Sequence, residues 1–396
     1  MATPTAVRAP ATHAASPLVA LWAVWLLLMG GANLATPLYA VYAREFGFSS
    51  LVLTAIFATY AFVLVPALIV FGRLSDRFGR RPVLFVGLLT ACAALAVFAA
   101  ARGAGWLFAA RALQGLAVGM ISGAATAALV ELDPRGDRRR AALLAGLAQA
   151  GGSAAGPLFA GALAEWAPDP LRLCFLVALG VTVVAAVATL WLPEPFEGER
   201  EPWRIERPRV PAELRADFAR VSITAATVWA TLALFLSIVP SYVRSTLGTH
   251  NLALIAVIAT AALIASCGAQ IAAQRFEGSR RRDQAVGLVL LGAGLGALIV
   301  AAPLNSLALM LVAASAAGAG HGLAFLNAQQ ELNDLAPQQR RGEVTAAFIS
   351  CIYFLVATAV ISSGLLDEWF TLSLSVGTVA TVLAALAGSL AIWQRS

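Results

Sequence analysis

The chain has 396 residues, of which 60% are hydrophobic and only 12% charged, and it carries a formal net charge of +6. Soluble domains carry roughly 25% charged residues and cannot hide this much apolar surface in one core, which excludes a soluble enzyme. The basic excess falls between apolar blocks, so it reports membrane topology and gives no indication of a nucleic-acid partner.

Residues 1–17 form an Ala/Thr/Pro-rich tail, predicted to be disordered, and no small-residue cleavage site follows the first apolar block. Six apolar blocks come next, at 18–40, 51–72, 82–101, 106–130, 141–163 and 172–192. Six more lie at 218–240, 252–274, 284–302, 306–330, 343–364 and 370–393. Each is close to the ~20 residues that cross a bilayer as a helix. None alternates as a membrane-barrel strand does, so helices are the spanning element.

The stretch 193–217 separates the two sets. Its prolines at 193, 195, 202, 208 and 211 forbid a continuous helix, and it reads as a cytoplasmic linker. Residues 18–192 and 218–396 are then two six-helix halves. Block four ends on Glu131-Leu132-Asp133 before Arg139-Arg140, and block ten ends on Glu331-Leu332-Asn333 before Arg340-Arg341. This equivalent placement predicts an all-α membrane protein of twelve helices in two pseudo-symmetric halves.

All 27 basic residues are arginines. With a cytoplasmic N-terminus, 22 fall in inside segments and 4 outside (Arg44, Arg102, Arg172, Arg244), leaving Arg111 within a block. That bias places both termini in the cytoplasm of a cell inner membrane. Cys92, Cys174, Cys267 and Cys351 are scattered within apolar blocks, without metal-ligand spacing, and read as small buried hydrophobes.

The loop between blocks two and three reads Gly72-Arg73-Leu74-Ser75-Asp76-Arg77-Phe78-Gly79-Arg80-Arg81. Gly72 and Gly79 permit tight turns, and Asp76 among arginines forms a charge-assisted network. Topology alone explains the arginines, but neither Asp76 nor the glycine spacing. This pattern resembles the loop signature of the major facilitator superfamily, with every fixed position filled. The resemblance implies a cytoplasmic latch made by Gly72, Asp76, Arg77, Gly79, Arg80 and Arg81, to which Glu131 is added, with Asp76 facing the start of helix eleven near Gly342. The second half holds a weakened counterpart, Gln274-Arg275-Phe276, with Gly278 one position late.

Helix four carries Leu107, Arg111, Gln114, Gly115 and Gly119, which resemble the superfamily's second motif. A charge inside the membrane is costly, so Arg111 is either functional or a residue snorkelling to the outer interface. Helix five carries Gly152, Gly156, Pro157 and Gly161, which resemble the motif of the drug:proton antiporter branch; in an Ala-rich chain they also serve plain close packing. Polar and aromatic candidates for a central cavity are Asn33, Tyr60, Gln114, Gln149, Trp229, Gln270, Asn327 and Tyr353. His321 is the histidine inside an apolar block, and with Arg111 it is a candidate for coupling to protons or for a buried structural role. Helix one offers Asn33 but no acid.

The expected function is secondary export of small amphipathic molecules or drugs, driven by the proton gradient, by a monomer in the lipid bilayer. No catalytic residue, metal or organic cofactor is expected. An importer or facilitator of a small metabolite shares this fold. An integral-membrane enzyme would need a convergent His/acid set.

Overall fold

Every regular element among the described residues is helical. The computed structural model describes residues 17–194, 209–237, 239–275, 279–301, 303–337 and 341–395. Most of the tail, linker residues 195–208, Arg340, and Phe276 to Gly278 of the weakened motif lie outside the described residues.

The first span is α1 (Pro17–Asn33), continued through a 3₁₀ turn (Thr36–Leu38) into α2 (Tyr39–Phe46). A single block was expected there. Pro37 breaks it, because it has no N–H to offer the Asn33 carbonyl. Next come α3 (Ser50–Phe71), the short loop helix α4 (Leu74–Phe78), α5 (Arg80–Ala99), α6 (Ala104–Glu131), α7 (Arg138–Trp166) and α8 (Leu173–Thr189). The second half opens with α9 (Arg215–Ser237) and α10 (Val239–Leu247). It continues with α11 (Leu252–Ala273), α12 (Arg280–Ala301), α13 (Leu307–Leu335), α14 (Arg341–Trp369) and α15 (Leu372–Trp393). Among the described residues ten spans are long and apolar enough to cross a membrane; α8 is a shorter apolar helix, and α7, with 29 residues, completes twelve.

The halves repeat one packing plan. In the first, α3 and α5 pack on α6, α1 on α7 and α5 on α8; in the second, α11 and α12 pack on α13, α9 on α14 and α12 on α15. Matching residues recur at a spacing of 203 positions (240 − 37), as in Pro37 and Pro240, Tyr39 and Tyr242, Gly161 and Gly364, and Glu165 and Glu368. The two halves meet along α3–α14 and α7–α11. One end of the bundle carries α4 and the arginine-rich loops and is called here the basic face. At the opposite end, α3, α11, α13 and α15 start on side-chain caps from Ser49, Asn251, Ser306 and Thr371.

Candidate functional site: a cavity between the halves and its two ends

At the basic face the charges converge on Arg80, which is 6% exposed. Its Nη1 donates to Asp76 Oδ1 at 2.5 Å and to Ser75 Oγ at 2.6 Å. Its Nη2 donates to Glu131 Oε1 at 2.7 Å, and Nε to Glu131 Oε2 at 3.1 Å. Arg73 Nε donates to the other Asp76 oxygen at 3.1 Å. Asp76 is thus engaged within its own half. Arg77 lies over the Phe78 ring at 5.5 Å.

Sequence reasoning missed Glu194, which sits just after the sixth span. Its carboxylate accepts from the Arg80 and Arg81 backbone N–H groups at 2.8 and 3.1 Å, closing the N-terminus of α5. Gly79 turns the chain at φ +94°, and a Cβ there would stand 2.6 Å from Glu194 Oε2. The positive φ favours glycine at this position, and an added Cβ would also push the Glu194 carboxylate aside. In the second half, Glu331 accepts from Arg220 and from Gln284 Nε2 at 2.6 Å, while Arg280 pairs with Asp334.

Between the halves, on the basic side of the middle, lies a cavity of ≈ 110 Å³. Leu64 and Leu68 of α3, Gln149 of α7, Trp229 of α9, Phe325 and Gln329 of α13, and Phe348 and Tyr353 of α14 line it. Gln149, Trp229 and Tyr353 are the three expected residues that reach it; Tyr60 contributes from behind, its ring 6.1 Å from that of Tyr353 across the halves. The other expected lining residues are held elsewhere. Asn33 donates to Ser153 Oγ at 3.0 Å, tying α1 to α7. Gln270 donates to Ser266 Oγ at 3.2 Å, and Asn327 to the Leu323 carbonyl of its own helix at 2.9 Å. Phe325, Gln329 and Leu332 share one face by helical spacing, but spans that are apolar all round carry no mark of which face is the cavity's.

Arg111 is 2% exposed and does not snorkel. Its Nη1 donates to the Ala32 carbonyl and to Gln114 Oε1, each at 2.8 Å, and its Nη2 to the Phe57 carbonyl at 3.2 Å. Gln114 Nε2 in turn donates to the Gly31 carbonyl at 2.8 Å. The pair therefore satisfies carbonyls at the break of the first span. The Phe57 and Tyr60 rings cover the guanidinium at 5.1 and 4.6 Å.

His321 belongs to a separate network in the second half. Its Nδ1 is 2.8 Å from Ser266 Oγ, its ring stacks on Phe325 at 5.5 Å, and it meets Trp229 edge-on at 4.9 Å. Its Nε2 is buried without a hydrogen-bond partner. Arg111 and His321 share no hydrogen-bond partner among the described residues.

The end opposite the basic face is sealed by a matched pair of closures. Glu165 Oε2 at the end of α7 accepts from the Leu252 N–H, the first residue of α11, at 2.8 Å. Glu368 Oε1 at the end of α14 accepts from the Leu51 N–H in the first turn of α3, at 3.3 Å. Each carboxylate thus meets the positive end of a helix from the other half. Beside them, a Cβ on Gly161 would lie 2.6 Å from Ala256 Cβ, and one on Gly364 would lie 2.0 Å from Thr54 Oγ1. Gly161 of the helix-five motif is thereby an inter-half contact. Gly152 and Gly156 instead press α7 on α1, where added Cβ atoms would lie 2.3 Å from the Leu26 carbonyl oxygen and 2.1 Å from that of Gly30. Pro157 sits within the same helix.

The sequence profile of the Major Facilitator Superfamily matches residues 21–360. The chain belongs to that superfamily. It is 34% identical over 152 residues to the puromycin resistance protein pur8 of Streptomyces alboniger, covering 38% of this chain and 30% of that one. It is 33% identical over 153 residues to the class C tetracycline resistance protein of Escherichia coli, covering 38% and 37% respectively. The chain thus spans only about a third of the length of the curated relatives it matches. In fold it is similar to the human organic anion transporter MFSD10 (TM-score 0.71, 16% identity, 95% of this chain and 99% of that one). It is also similar to a mutant of the nucleoside transporter NupG (TM-score 0.72, 12% identity, 96% and 99%). Twelve helices in two six-helix halves, as expected from the apolar blocks, is the fold found.

Proposed function

We propose that this membrane transporter exports small amphipathic molecules in exchange for protons. The observation carrying the reading is the cavity between the halves, closed at one end by the Glu165 and Glu368 contacts and displaced towards the other. A site between pseudo-symmetric halves with one end shut corresponds to one state of alternating access. The arginine bias puts the basic face in the cytoplasm, so this state faces inward and takes substrate from the cell interior. Matches to two drug resistance proteins support export over import.

In this reading Asp76, Arg80 and Glu131 form the cytoplasmic latch, and on closure of that face Asp76 engages the N-terminus of α14 (Arg341–Trp369), where the dipole favours a carboxylate. His321 carries the exchanged proton, with its unpartnered Nε2 behind the cavity wall of Trp229 and Phe325. Arg111 holds the broken first span in shape.

Everted vesicles from overexpressing cells test the reading. An inwardly directed pump of protons should drive accumulation of a fluorescent amphiphile, and adding substrate should release lumenal protons. Accumulation that persists unchanged after the proton gradient is collapsed would overturn the proton exchange. Net movement only towards the cytoplasm would establish an importer instead.

A further inference from the structure

The cavity wall contains no Asp, Glu, Arg or His among the described residues; its polar groups are the amides of Gln149, Gln329 and Asn333, with Thr345 and Tyr353. Behind the wall lies the buried charge of Arg111, 2% exposed. Its guanidinium lies 4.6 Å from the Tyr60 ring, and that ring lies 6.1 Å from Tyr353 in the wall. Arg111 donates only to two backbone carbonyls and the Gln114 amide, and no carboxylate pairs with it among the described residues. The positive charge behind this wall is therefore uncompensated.

We infer that the cavity sorts aromatic amphiphiles by charge, accepting carboxylate-bearing and neutral molecules and rejecting lipophilic cations. The inference rests on the cavity being the substrate site, as proposed above. Trp229, Phe325 and Phe348 offer flat apolar faces to an aromatic ring. The side-chain amides donate hydrogen bonds that an anion strengthens. A cation entering here leaves water and finds no carboxylate to replace it. At an effective dielectric constant of ~20, one unit charge about 10 Å from Arg111 shifts binding roughly tenfold, in opposite directions for anion and cation. The expected separation between the two is then on the order of a hundredfold.

Indole-3-acetate, indole-3-acetamide and tryptamine present one ring system as anion, neutral molecule and cation at pH 7. Isothermal titration of the full chain in lipid nanodiscs, with empty discs subtracted, measures their affinities. Indole-3-acetate should bind best and tryptamine at least tenfold more weakly. Gln149→Glu should reverse the order by placing a carboxylate in the wall; if that variant fails to insert, Thr345→Asp on the facing helix carries the same test. Tryptamine binding as tightly as indole-3-acetate to the unaltered chain would overturn the charge filter and leave the export reading standing. Absence of binding by all three would also overturn it, whereas failure of export itself is read separately in the everted vesicles.

Discussion

The two buried arginines of the first half spend their terminal donors differently, and Arg111 Nε is left without a partner. Arg80 is shared between Asp76 and Glu131, whereas Arg111 is spent on backbone carbonyls and ring faces. Glu131→Gln removes one charged partner from a nearly unexposed guanidinium. It should lower the unfolding free energy by about 1.5–3 kcal/mol, read by thermal unfolding in detergent. Asp76→Asn should insert normally but slow transport roughly 5- to 150-fold, the range of one conformational coupling. Full activity in Asp76→Asn would reduce the loop to a topology signal. His321→Gln keeps a hydrogen-bonding group beside Ser266 but cannot titrate near neutral pH. Substrate-induced proton release should vanish while binding persists; uphill transport with an unaltered pH profile would make His321 structural. At this scale Asp76 and Arg80 were legible because charge and glycine spacing coincide in ten residues. Glu194 was not, because a glutamate at the start of a proline-rich linker looks like any solvated polar residue until the chain folds it onto α5.

The elements add what composition cannot encode. Hydropathy marks where a helix crosses the bilayer, but a helix that is apolar all round gives no facing direction. That is why Asn33, Gln270 and Asn327, expected in the cavity, turn instead to α7, to Ser266 and to their own helix. The break at Pro37 was readable in principle, since a proline removes one donor from an otherwise regular span. The paired closures at the far end come from helix termini meeting across the halves, which requires the three-dimensional arrangement. Both carboxylates are at the rim, so each is worth about 0.5–1 kcal/mol. Glu165→Gln with Glu368→Gln should therefore move the equilibrium about five- to thirtyfold towards the state open at that end. Spin labels on the far ends of α7 and α11 would report the shift as a longer distance population. An unchanged distribution would show that apolar contact at Gly161 and Gly364 closes that end without help from the carboxylates.

For the whole molecule, the 203-residue spacing explains why such features come in pairs: the same local chemistry is placed twice in one chain, and in the proposed exporter the two halves rock about a shared cavity. Rocking exchanges the two ends, so the direction of transport depends on which end faces the cytoplasm. The sequence answers that with 22 arginines in segments assigned to the cytoplasmic side against 4 in those assigned to the other, a bias spread over many short segments. Reporter fusions placed in the linker between the halves and after Arg395 test it directly. Both are expected to be active only as cytoplasmic reporters, because an even number of spans separates them. A signal from the opposite compartment at only one position would overturn the even span count; at both positions it would invert the molecule, turn the closed end towards the cytoplasm, and make the observed state one that receives substrate from outside.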